Sequence, residues 1–120
     1  MVQASFGTEG EFSISTIDES EGGVRVVVEG ELDLATVPRL IAALRSLEQT
    51  TRSALVVDLG ALTYLDASSL RIVLAARRRA AAAGRTVKVE ALLGVVAPVL
   101  AVAGQVAVLG LEPREASSHA

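Results

Sequence analysis

Apolar residues recur along this chain with two different periods, and the changes of period divide it into elements. "EFSISTI" sets Phe12, Ile14 and Thr16 at every second position, which predicts a short strand with one buried side. "ESEGG" reads as a turn, and "VRVVVEG" resumes the alternation with Val24, Val26 and Val28 on one face. Two such runs joined by a short Gly-containing connection predict an antiparallel pair. "ELDLATVPRLIAALRSLEQTT" then changes to helical spacing, with Val37, Leu40, Ile41, Leu44 and Leu47 on one side. Thr36 is placed to cap this helix, and Pro38 falls in its first turn, where a missing N–H is tolerated. "ALVVDLG" is almost continuously apolar, as a strand covered on both faces requires. After "ALTYLD", read as a loop, a second helix is predicted from about Ser68 to Ala83, ending at Gly84. Its buried face would carry Ile72, Val73, Ala76 and Ala80, flanked by Leu70 and Leu74. Arg71 and Arg78 point away, and Arg77 packs its stem near the apolar side.

"TVKVEAL" alternates Val87 and Val89 with Lys88 and Glu90, a half-exposed strand. "GVVAPVLAVAG" reads as a third helix ended by Gly104, with Pro98 tolerated only in a first turn, and "VAVLGL" as a last strand. Val95, Val96, Val99, Leu100 and Val102 make that third helix a core element or a self-association patch. Residues 1–10 are expected to be a flexible leader and residues 112–120 a polar tail, around one domain over 11–111. The resulting order, β-β-α-β-α-β-α-β, predicts an α/β fold with a mixed, mostly parallel sheet and helical crossovers.

Composition narrows the chemistry. The 120 residues suit one domain, and about half are apolar, with two Phe, one Tyr and no Trp. The core must therefore be aliphatic. A net charge of −3 argues against direct nucleic-acid contact, and Arg77–Arg78–Arg79 is a short basic cluster spread around a helix. The absence of cysteine removes disulfides, thiolate catalysis and zinc–sulfur sites. The chain opens with no basic segment followed by an apolar run, and glycines and a proline interrupt its longest apolar stretch. These features predict a cytoplasmic protein without membrane insertion. One histidine, His119, no glycine-rich phosphate loop and no metal-ligand cluster leave an enzymatic role without candidates, and no cofactor is implied.

"GELDLAT" and "YLDASSLRIVL" follow one another about 30 residues apart, and with them the chain resembles the STAS family over roughly residues 12–111. The best-known members are bacterial anti-sigma factor antagonists. Phosphorylatable members carry Asp-Ser-Ser-Gly-Leu at the second motif, with the second serine as acceptor. Placed on this chain, Asp66 matches the acid, Ala67 the first serine, Ser68 the acceptor, Ser69 the glycine and Leu70 the leucine. Ala97 and Pro98 depart from a third helix that is often basic in the family. The resemblance implies a STAS-like single domain. It implies an antagonist that binds an anti-sigma factor with a serine-kinase domain and releases a sigma factor. Phosphorylation of Ser68 would end the binding and a phosphatase would restore it. The alternative is a STAS scaffold that is never phosphorylated, in a stress-signalling assembly or as an accessory subunit of a membrane transporter.

Physical chemistry makes a serine at this position a workable switch. A phosphoryl group adds about −1.5 to −2 charges at the start of a helix, which tolerates them. A docking surface that carries carboxylates does not, and a desolvated like-charge contact costs several kcal/mol. A simpler reading stands beside it: Ser68 as an ordinary helix cap. Ser69 is the runner-up acceptor. Asp33 either contacts a partner or holds its loop, and Asp66 caps the helix or bonds nearby amides. Asp33, Asp66, Ser68, Ser69 and Arg71 together form the expected partner-binding set.

Overall fold

A computed structural model describes residues 3–9, 12–51, 53–92 and 112–114. Six strands form a single sheet in sequential order: β1 (Gln3–Glu9), β2 (Phe12–Asp18), β3 (Val24–Leu32), β4 (Leu55–Leu65), β5 (Val87–Leu92) and β6 (Glu112–Arg114). The pairs β1–β2 and β2–β3 are antiparallel, and the three that follow are parallel. Helix α1 (Val37–Thr50) crosses from β3 to β4, and α2 (Ala67–Ala82) from β4 to β5. Successive parallel strands that step in one direction, joined by right-handed crossovers, put both helices on one face of the sheet. There α1 and α2 pack on each other and share one core. The chain thus has the α/β class and the mixed, mostly parallel sheet expected of it.

Alternation builds that core as the pattern predicts. Phe12, Ile14 and Thr16 of β2, Val26 and Val28 of β3, and Val87 and Val89 of β5 are buried. They meet Leu40 and Leu44 of α1 and Leu70, Val73 and Leu74 of α2. Arg39 lies over the Phe12 ring, 5.3 Å from its centroid, and closes the core beside β2.

Several expectations need correction. The polar start of the chain is a strand over residues 3–9, not a loose leader, and residues 112–114 of the expected tail also form one. An edge strand needs only backbone partners, so a polar sequence does not forbid it. "ALTYL" is not a loop but the second half of β4. The register against β3 slips twice, between Val27 and Glu29 and between Gly30 and Glu31, each time leaving an extra residue on β4. Asp58 Oδ1 accepts from the Gly60 amide at 2.8 Å beside the first slip, and Thr63 Oγ1 donates to the Gly30 carbonyl at 3.1 Å beside the second. Gly30 takes φ +96°, open to glycine and strained for other residues. These bulges break the period of two, so Leu62 and Leu65 are buried while Thr63 and Tyr64 between them are both exposed. Ile72, expected in the core, is exposed as well. The expected third helix and the strand "VAVLGL" lie outside the described residues.

The face of the sheet away from the helices carries an ion cluster. Arg25 donates to Glu19 (2.6 Å), Asp58 (3.0 Å) and Glu90 (2.8 Å), joining the β2–β3 turn to β3, β4 and β5. Partial burial works against the guanidinium's charge, but its hydrogen bonds to Glu90, Glu19 and Asp58 outweigh it and raise its pKa above the ordinary value.

Candidate functional site

The parallel register brings the two sequence motifs together. Leu32 at the end of β3 pairs with Leu65 at the end of β4, so Asp33 and Asp66 leave the sheet side by side at one edge. Each follows a buried leucine, and each accepts a hydrogen bond from the amide three residues on. Asp33 Oδ1 takes the Ala35 and Thr36 amides, both at 3.0 Å. Asp66 Oδ1 takes the Ser69 amide at 2.7 Å and is the N-cap of α2. "LDLAT" and "LDASS" are therefore the same device used twice: an aspartate turns the chain from strand into helix by satisfying amides that the first helical turn leaves open.

This geometry sorts the expected site residues. Asp33 and Asp66 are half-buried, with their carboxylates turned back onto backbone amides, so both hold their loops. Thr36 does not cap α1 through its side chain. Its hydroxyl accepts from the Asp33 amide at 3.0 Å and donates to the Glu31 carbonyl at 2.9 Å. Ser68 is not the cap of α2 either, because Asp66 already is. It lies one residue inside the helix, exposed, and no described residue bonds its hydroxyl. Ser69, placed in the contact set and as runner-up acceptor, is fully buried (0% exposed), and its Oγ has no hydrogen-bond partner. It presents no hydroxyl to another protein. Arg71 is exposed, one helical turn beyond Ser68, as expected.

Sequence reading missed the apolar part of this edge. Among the described residues the large hydrophobic side chains left in solvent are Leu34 (59% exposed), Tyr64 (49%) and Ile72 (37%). Leu34 follows Asp33, Tyr64 is two residues before Asp66, and Ile72 is four after Ser68, on the same side of α2. Ile72 lies in the second turn of α2, and Leu34 and Tyr64 lie by the paired ends of β3 and β4, where the chain turns into the helices. Ile72 borders the helix's apolar arc, so its exposure depends on how α2 is rotated, and the exposure of Tyr64 depends on the bulges in β4.

The remaining surface offers less. A polar concavity of about 920 Å³ opens at the opposite end of the sheet, lined by Glu48, Thr51, Ser53, Arg85 and Thr86 among others, away from Ser68. No group of described residues could hold a metal ion, and no helix among them is long and apolar enough to cross a membrane.

Comparison with known proteins agrees with the motifs. The family described as "Mlab, STAS domain" matches residues 15–110. Among solved structures, an anti-sigma factor antagonist from Mycobacterium paratuberculosis is 26% identical with a TM-score of 0.65, over 85% of this chain and 87% of that one. A second, Mglu, is 21% identical with a TM-score of 0.51 over 60% of this chain and 18% of its own, and shares the fold alone. No curated protein matches. Two aspartate-turned loops at one sheet edge and a family match that spans both lead to one assignment: the chain belongs to the STAS domain family.

Proposed function

We propose that this chain is an anti-sigma factor antagonist that docks through the edge built by Leu34, Tyr64, Ser68, Arg71 and Ile72. The observation that carries this reading is the state of Ser68: exposed, unbonded, and on the same face of α2 as exposed Ile72, at the end of the sheet where Leu34 and Tyr64 are also exposed. Apolar anchors beside a small polar group suit a protein interface, since aromatic and aliphatic side chains supply most of the binding energy there. The partner is an anti-sigma factor with a serine-kinase domain, and the reaction belongs to that partner. Ser68 Oγ attacks the γ-phosphorus of ATP, the new O–P bond forms as the bond to ADP breaks, and the hydroxyl proton passes to a base of the kinase. The ATP and Mg²⁺ are held by the kinase, and this chain is substrate and ligand, not enzyme. The added charge then opposes redocking, and a phosphatase reverses it. Asp33 and Asp66 shape the docking edge by holding its two loops. Such an exchange takes place in the cytoplasm, where the sigma factor works, and needs no contact with DNA.

The competing reading is a STAS scaffold or transporter subunit that is never phosphorylated. It draws on Ala67 and on buried Ser69, which replace the serine and glycine of phosphorylatable members. Incubation with a cognate anti-sigma kinase and ATP separates the two. The expected result is one phosphate, on Ser68 by peptide mass spectrometry. Ser68→Ala keeps binding, and Ser68→Glu binds at least about tenfold more weakly, a change of about 1.4 kcal/mol. Phosphorylation that survives Ser68→Ala but not Ser69→Ala rejects the site. A large complex indifferent to both substitutions supports the scaffold.

A further inference from the structure

Helix α2 carries Arg71, Arg77, Arg78 and Arg79 and no acidic residue. Arg71 is the one within reach of Ser68. The two lie three positions apart, a spacing that makes side chains neighbours on a helix, and both are exposed. No described residue pairs with Arg71, whereas Arg77 to Arg79 begin nine residues after Ser68, about 13 Å along the axis. Arg39 is committed over the Phe12 ring. The carboxylate nearest to Ser68 in the chain, Asp66, is engaged by the Ser69 amide.

We propose that Arg71 is the internal counter-ion of a phosphoryl group on Ser68, and that phosphorylation works partly by withdrawing Arg71 from the docking edge. This rests on the reading of Ser68 as the modified residue. With Ser68 bare, the Arg71 guanidinium is free to meet a carboxylate of the docking protein. With Ser68 phosphorylated, the same guanidinium faces a nearer and more highly charged anion in its own helix. One modification thereby adds a repulsive group and removes an attractive one.

The test needs no kinase, so its outcome is separable from the question of whether a cell phosphorylates this chain. Phosphoserine is incorporated at position 68 during synthesis of the full chain, and its second ionisation is followed by ³¹P NMR. It is expected about 0.5 pH unit lower than in the same protein carrying Arg71→Gln, roughly a threefold weaker hold on the proton. Arg71→Lys should recover part of that difference, and Arg78→Gln should leave the titration unchanged. The Arg71 Nε–H signal should move between the bare and phosphorylated proteins. An identical titration with and without Arg71 overturns the proposal, as does an equal effect of Arg78→Gln, which would reveal a general field in place of a pair. If the pairing is found but no anti-sigma kinase modifies Ser68, the functional reading fails and the assignment of Arg71 stands.

Discussion

Replacing Ser69 by alanine should make this protein more stable. Ser69 Oγ is buried without a hydrogen-bond partner, a state that costs about 1–3 kcal/mol in lost hydration. Alanine removes that oxygen and is the better helix former by roughly 0.5 kcal/mol. The Ser69 backbone amide, and with it the 2.7 Å bond to Asp66, is unaffected. Against these gains stands only the packing of one lost atom in a fully buried site. The net expectation is a stabilisation of about 1–2 kcal/mol, or about 5–10 °C in the thermal midpoint of a domain this size. Urea unfolding followed by circular dichroism measures it directly, with an unchanged slope showing that the same surface unfolds. Ser69→Gly serves as a control: it also deletes the hydroxyl but adds backbone freedom worth about 0.5–1 kcal/mol, so it should fall between wild type and alanine. An alanine variant equal to or weaker than wild type would refute the reasoning, because the hydroxyl must then be bonded in solution.

Two further perturbations test other parts of the structure. Arg25→Leu leaves Glu19, Asp58 and Glu90 facing one another without their shared cation. The loss should be about 2 kcal/mol at low ionic strength, between the values for exposed and buried pairs, and should change as salt screens the charges; a deficit that ignores salt counts against a charge origin. Tyr64→Ala and Ile72→Ser should each lower stability by only about 1–2 kcal/mol, since both side chains are part-exposed, yet weaken partner binding by roughly tenfold or more in calorimetry. Unchanged affinity in both variants moves the docking surface elsewhere.

Much of this was readable one residue at a time. The period-two runs in β2, β3 and β5 and the helical spacing in α1 and α2 place most of the core, because burial acts on a single face of each element. The two aspartate motifs and the serine after the second were also plain in the chain. Ile72 shows where local reading fails: it lies at the border of the helix's apolar arc, and only the packing of α1 and the sheet decides how α2 is rotated. The choice of Asp66 over Ser68 as cap is a two-residue shift in the helix start, and propensity cannot resolve it when both residues cap well.

The sequence alone therefore determined the element types, the inward faces and the family, since these follow from periodicity and from motifs with fixed spacing. The tertiary structure decided the pairing of strands far apart in the chain, and what depends on it. The double slip of β4 on β3 exposes Tyr64, and the parallel register sets Asp33 beside Asp66. The same sheet gathers three carboxylates around Arg25, and packing buries Ser69 while leaving Ser68 free. Register is set by energies summed across neighbouring strands, and no single segment contains that sum.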